Sequence, residues 1–444
     1  MSVAPMLRAA GLSETEASAK ATLLARVEQG LAALGGRTPT TRLFAPGRIE
    51  VLGKHTDYAG GRSLLCAVER GFCLAASPRE DRRIRLSDVG RGLQAEVALD
   101  PETGPPAEDW TIYAATVARR LARNFPEART GADIVFASDL PRSSGLSSSS
   151  ALVVALFAAL SDVNRLAERP EYRAAIASLE DLGGYLGCLE NGRTFKNLPG
   201  DFGVGTFGGS EDQTAILCCR PGEIAQYAFC PVRHERSVKL PEGFTFVVAS
   251  SGIAADKAGS ARDRYNRLSL AASALVDLWN RRTGRSDATL ADAAASSPKA
   301  PEEILAFAND SPYPTFDPAF LAGRFRQFLE ETTRLIPAAA DSLAACNLAA
   351  FGSLVERSQD LAERYLGNQV PETVALVSEA RRLKAVAASA FGAGFGGSVW
   401  ALVDLPSADT FLEGWKAAYA GAFPEPARQA SFFPTQAGPA LTRF

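Results

Sequence analysis

Apolar residues run in blocks along this chain, and the length and period of each block predict an element. Residues 41–52 (TRLFAPGRIEVL) and 62–76 (RSLLCAVERGFCLAA) are β-rich apolar runs interrupted by turn formers, and are expected to be strands. PETGPPAED (101–109) is a proline-rich turn. A helix is expected to begin near Ser148 and carry SSALVVALFAALSDVNRL, with serines capping its N-terminus. A second helix is expected over 171–190, where a glycine pair at 183–184 weakens the pattern. FTFVVASSG (244–252) reads as a buried strand and 260–282 as an amphipathic helix. Residues 283–316, rich in Ala, Ser and Pro, are expected to be a surface excursion. A helix over 372–388 should then meet a glycine loop and a strand over 398–405. Strands and helices mix throughout, so the expected class is α+β, with a boundary near residue 240 separating 1–240 from 241–444.

Composition narrows the function classes. The 444 residues are 46% apolar and 22% charged, ordinary values for a globular protein with sizeable cores. A net charge of −3, with Lys and Arg scattered, offers no footprint for nucleic acid. The longest apolar run, 151–160, is too short to cross a bilayer, and the first residues lack the pattern of a secretory signal. Seven cysteines without a C-x-x-C pair, and only two histidines (His55 and His234), disfavour a disulfide framework or a His-rich metal centre. The expectation is a reduced, cytoplasmic monomer with no membrane or nucleic-acid partner.

Four segments carry candidate chemistry. GRIEVLGKHTDYAGG (47–61) has the Gly-Lys of a P-loop, but five residues separate Gly47 from Gly53 and His55 stands where Ser or Thr is required, so the P-loop reading fails. PRSSGLSSSSALVVAL (141–156) joins small residues to an apolar helix; its backbone amides and the helix N-terminus suit a phosphate cradle, whereas a linker would not run into such a helix. SAFGAGFGGSVWALV (389–403) is a second glycine loop, a pattern that also serves turns and bulges. GVGTFGGSEDQTAIL (203–217) sets Glu211 and Asp212 after a glycine-rich turn, as a base or metal ligand would be, or as a turn cap.

Taken in order, PGRIEVLGKHTDYAGG, GLSSSSA, GGSEDQ, RYNR (264–267) and GAGFGG resemble the motifs of the GHMP kinase superfamily, and within it the galactokinase family, whose signature is usually written P-G-R-x-N-x-x-G-E-H-x-D-Y-x-x-G. The resemblance implies a two-lobed fold, with an N-terminal lobe like domain 2 of ribosomal protein S5 and a ferredoxin-like C-terminal lobe. It also implies ATP and a monosaccharide as substrates, with Asp212 as general base and Arg48 beside the transferring phosphoryl. Ser143, Ser144, Gly145, Leu146, Ser147, Ser148 and Ser149 are then expected to hold the nucleotide phosphates. Ser149 and Glu190 are expected to hold Mg2+, with Asp201 or Glu211 as substitutes for Glu190. Lys54, His55, Thr56, Asp57 and Tyr265 are expected to contact the sugar.

Two positions depart from the signature: Glu50 replaces asparagine and Lys54 replaces glutamate. A lysine facing the sugar would attract a carboxylate, and a unit pair about 4 Å apart is worth on the order of 4 kcal/mol in a partly buried site before desolvation. The resemblance implies phosphorylation of the anomeric hydroxyl of galactose or a related sugar. The alternatives are a galacturonate kinase in which Lys54 reads the C6 carboxylate, and a non-catalytic sugar sensor.

Overall fold

The computed structural model describes residues 3–35, 38–104, 110–255, 262–310 and 313–444. Its first sheet has the order β12-β1-β2-β5-β3-β4. These strands are β1 Thr41–Leu52, β2 Arg62–Pro78, β3 Arg83–Asp88, β4 Leu93–Ala98, β5 Ala132–Ser138 and, from the end of the chain, β12 Thr442–Arg443. β6 (Glu223–Ala228) pairs with the start of β2 and carries β7 (Arg233–Lys239) on its other side. Every contact in this sheet is antiparallel except β3 with β5.

The period of two explains why β1, β2 and β5 are apolar almost throughout. Leu43, Ala45, Leu74, Ala76, Ile134 and Phe136 pack on one face, with the helix Ser148–Val163. Phe44, Cys73, Ala75, Val135 and Ala137 pack on the other, under the helix Glu14–Gly35 through Leu24, Val27 and Leu31. Because helices cover both faces, alternation vanishes from these strands.

The second sheet, in the order β11-β8-β10-β9, comprises β8 Phe244–Ser250, β9 Ala387–Phe391, β10 Ser398–Asp404 and β11 Ser431–Thr435, all antiparallel. One face meets the helices Pro371–Arg382 and Ala408–Ala422 through Leu376, Trp415 and Tyr419. The other carries Phe246, Val248, Trp400 and Leu402 into the same core as the first sheet. The sheets part between Lys239 and Phe244, yet one apolar core runs through both and the last strand returns to the first.

Several sequence expectations need correction. Residues 171–190 are two helices, Pro170–Ala175 and Leu179–Asn191; the break falls at 176–178, where Ser178 Oγ caps the second by accepting from the Asp181 amide at 3.1 Å. The glycine pair lies inside the second helix, where Gly183 lets it approach Thr214. The excursion over 283–316 contains the helices Leu290–Ala295 and Ala300–Asp310, which bury Leu290, Ala293 and Ile304 in a satellite core with Trp279 and Phe325. The helix at 372 stops at Arg382, and residues 387–388 already belong to β9. The helix at Ser148 forms, but its N-cap Ser147 makes no side-chain cap. Part of the turn at 101–109 lies outside the described residues. Among the described residues no helix is long and apolar enough to cross a membrane.

Candidate active site

The strand β1 supplies the first residues of the site. GRIEV alternates, so Ile49 and Val51 enter the core while Arg48 and Glu50 share the opposite face. A register shift between Pro46 and Arg48 bends the strand at Gly47, where a Cβ would lie 2.8 Å from the Leu146 carbonyl oxygen. The Arg48 amide donates to that carbonyl at 3.2 Å, locking the strand to the serine loop.

Arg48 is fully buried and holds three groups. Its Nε donates to Asp212 Oδ1 at 2.9 Å, a terminal nitrogen lies 2.7 Å from the same oxygen, and Nη1 donates to the Gly145 carbonyl at 2.6 Å. Glu211 Oε1 lies 3.7 Å from Nε. Asp212 sits in the first turn of the helix Glu211–Cys218, where the helix dipole favours its charge, and its Oδ2 accepts from Ser150 Oγ at 3.3 Å. Asp57 Oδ2 accepts the Glu211 amide at 3.1 Å; this approach needs glycine at 209, whose Cβ would fall 2.3 Å from the same oxygen.

His55 holds a left-handed backbone conformation (φ 59°), a strained state that its partners enforce. Its Nε2 donates to the Ala393 carbonyl at 3.0 Å, leaving Nδ1 to accept from the Tyr58 hydroxyl at 2.9 Å. Burial pushes the Tyr58 phenol up to about 12, so it remains a donor. Tyr265 lies against His55 with ring centroids 5.3 Å apart. Asn266, next to it, staples the 205–207 loop by donating to the Gly205 carbonyl at 3.0 Å and accepting the Phe207 amide at 2.9 Å.

Arg48, His55, Asp57, Tyr58, Glu211, Asp212 and Tyr265 line one cleft together with Glu50, Glu190, Asn191, Thr206, Gln213, Gly392 and Ala393. Glu190 Oε1 accepts from Gln213 Nε2 at 2.8 Å. At the edge of the cleft the two glycine-rich loops touch: a Cβ on Gly145 would sit 3.3 Å from the Phe391 carbonyl oxygen, and Ser398 Oγ donates to the Ser144 carbonyl at 2.6 Å. Left-handed residues alternate along the serine loop, at Ser143, Gly145 and Ser147 (φ 46°, 77° and 60°), the kind of geometry in which backbone amides converge on an anion. Ser147 Oγ is buried with no hydrogen-bond partner among the described residues. Leu146 serves through its backbone, its side chain being in the core. Ser148 and Ser149 form the first turn of the helix Ser148–Val163, directly before Ser150. Among the described residues no cluster of three or more His, Cys, Asp or Glu could hold a metal alone. The nearby hydroxyl and carboxylate oxygens suit a hard divalent ion that takes its other ligands from phosphate and water.

Three expected site residues stand elsewhere. Lys54 is 1% exposed and is not part of the cleft lining; its Nζ donates to Ser389 Oγ at 2.8 Å and Ser358 Oγ at 3.4 Å. It neither turns outward nor faces a sugar, so the galacturonate reading loses the contact it rested on. Thr56 is structural, its hydroxyl shared between the Gly53 and Arg62 carbonyls at 2.8 and 2.6 Å. The Asp201 side chain is buried against Arg119 (2.8 Å) and Arg120 (3.8 Å) and is not part of the cleft lining. Conversely, the role of Glu50 in the cleft escaped the sequence reading, although its two-residue spacing from Arg48 was the available signal.

Comparison with known proteins gives three family-model matches. Residues 33–78 match the galactokinase galactose-binding signature, 112–186 the N-terminal domain of GHMP kinases and 339–421 their C-terminal domain. The chain is 30% identical to galactokinase of Chloroflexus aggregans over 395 residues, covering 87% of this chain and 89% of that one. It is also 30% identical to galactokinase of Roseiflexus sp. over 387 residues, 86% of this chain and 88% of the relative. Its fold is similar to that of Lactococcus lactis galactokinase solved with galactose (TM-score 0.78, 23% identity, covering 95% and 100% of the two chains). A more distant likeness is to Methanococcus jannaschii mevalonate kinase (TM-score 0.53, 13% identity, 90% and 98%).

Proposed function

This chain belongs to the galactokinase family of GHMP kinases, and from that premise we propose that its cleft transfers the γ-phosphoryl of ATP to the anomeric hydroxyl of galactose. The observation that carries the reading is the buried contact of Arg48 with Asp212, 2.7 Å apart, beside the loop Ser143–Ser149. Asp212 accepts the proton of the attacking hydroxyl. The guanidinium keeps that carboxylate ionised and offers positive charge to the equatorial oxygens of the transferring group. In a loose transition state positioning and charge neutralisation outweigh proton abstraction, so a rigid, fully buried arginine is the larger contributor.

His55, Asp57 and Tyr265 orient the sugar, with Tyr58 and Ala393 fixing the imidazole. The alternating left-handed residues of the serine loop present amides to the nucleotide phosphates, and Ser147 Oγ offers a free hydroxyl there. A divalent metal accompanies ATP in this family; Ser149 and Glu190 would hold Mg2+, which would supply charge neutralisation at the phosphates. Five carboxyl groups and one guanidinium line the cleft, which favours a neutral sugar over a uronate. The decisive assay couples ADP release to sugar addition with purified protein and MgATP. Galactose-dependent ADP release that falls sharply in Asp212→Asn is the expected result; galactose binding without turnover would instead make the protein a sensor.

A further inference from the structure

The least satisfied group in the cleft is Glu50. Its side chain is 3% exposed, shares the Arg48 face of β1 and lines the cavity. One oxygen, Oε2, accepts the Gly392 amide at 3.2 Å. The other, Oε1, has no hydrogen-bond partner among the described residues, although a buried carboxylate oxygen is costly to leave without a donor. Glu211 faces it, but Glu211 Oε2 is already occupied by Ser63 Oγ at 2.6 Å, and Arg48 spends its hydrogen bonds on Asp212 and Gly145. Glu211 is thus paired with Glu50, and Glu50 Oε1 still has no hydrogen-bond partner among the described residues at the cavity wall.

Resting on the galactose kinase reading, we propose that Glu50 is a specificity-determining residue, whose carboxylate accepts a hydrogen bond from one hydroxyl of a neutral sugar and repels sugars that carry a carboxylate. The acceptor fits a hydroxyl because a hydroxyl can donate and a carboxylate cannot. Asp57, Glu190 and Asp212 stand around the same cavity, so an anionic sugar meets like charge on several sides. Lys54 cannot reverse this, because its ammonium is turned toward Ser358 and Ser389 behind the cleft lining.

The test is calorimetric binding of galactose, its 2-, 3-, 4- and 6-deoxy derivatives and galacturonate to the full chain and to Glu50→Gln and Glu50→Asp, with turnover measured separately by ADP release. Losing a charge-assisted hydrogen bond should raise the galactose Kd about tenfold or more in Glu50→Gln. One deoxy sugar, the one lacking the hydroxyl read by Glu50, should bind the native chain and Glu50→Gln equally. Galacturonate should gain relative to galactose in Glu50→Gln but not in Glu50→Asp, which keeps the charge and shortens the reach. An unchanged galactose Kd in Glu50→Gln, or the same loss for every sugar, would overturn the proposal and reduce Glu50 to a structural partner of Glu211. Binding that follows the expected pattern without ADP release would uphold the role of Glu50 and overturn the kinase reading instead.

Discussion

Replacing Lys54 by methionine keeps the volume of a buried side chain while removing its charge, and so isolates what that charge does. The ammonium donates to Ser358 Oγ at 3.4 Å, and that hydroxyl donates onward to Glu331 Oε1 at 2.8 Å. The two legs limit the separation of the charges to about 6 Å, which at an effective dielectric of about 20 gives roughly 3 kcal/mol of attraction. Glu331 also receives the Gly53 amide at 3.0 Å, so the lysine stabilises a carboxylate that fixes the turn preceding itself. Burial pushes the carboxyls of Glu50 (to about 7) and Glu331 up, and Lys54 opposes both rises. In Lys54→Met both carboxyls move higher still. Near pH 5.5, below the value of about 7 to which Glu50 is raised, that carboxyl takes up a proton and the substitution costs less than at pH 8. At pH 8 the folded state must hold uncompensated carboxylates or take up protons, and stability falls by up to about 3 kcal/mol, roughly 6 °C in Tm at about 2 °C per kcal/mol. Thermal and urea denaturation at the two pH values measure this directly. An equal loss at both, or no loss at pH 8, would refute the view that Lys54 compensates buried acids.

Asp212→Asn retains the contact shape with Arg48 but cannot take a proton; kcat should fall about 10^2–10^4-fold with little change in galactose Kd, read by ADP release and calorimetry. Glu50→Gln should raise stability at alkaline pH. The native carboxyl titrates near 7 rather than 4.5, so its stabilising contribution is complete below about 4.5 and lost as pH rises through 7, a difference of about 3 kcal/mol by pH 8 that denaturation curves of the two proteins would reveal. Gly145→Ala forces a side chain onto a residue at φ 77° and brings its Cβ to 3.3 Å from the Phe391 carbonyl, costing about 1–2 kcal/mol locally. Its KM for ATP should rise while galactose Kd stays unchanged, and a rise in the latter alone would argue against a phosphate role for the loop.

The misplaced elements share a physical origin. Ser178 capping and the β9 hairpin override helical propensity through hydrogen bonds that periodicity does not encode. Residues 283–316 look like a surface segment because their helices are short and alanine-rich, yet Leu290 and Ile304 find partners on the distant Trp279 and Phe325. Thr56 lies in a motif of site residues and still serves only the turn, since its hydroxyl is taken by two carbonyls.

By itself, the sequence determined the main strands, the serine-rich approach to an apolar helix, the order of five motifs and hence the family and its chemistry. These signals are local, set by side-chain period, glycine content and residue type. Only the tertiary structure decided where the charges at positions 50 and 54 go. Both residues sit a few positions from Arg48, but a strand's faces alternate and the turn at Gly53 swings the next side chain behind the sheet. One carboxylate therefore enters the cleft and one ammonium enters the polar layer formed by residues 331, 358 and 389, brought there by segments 278 to 335 residues downstream.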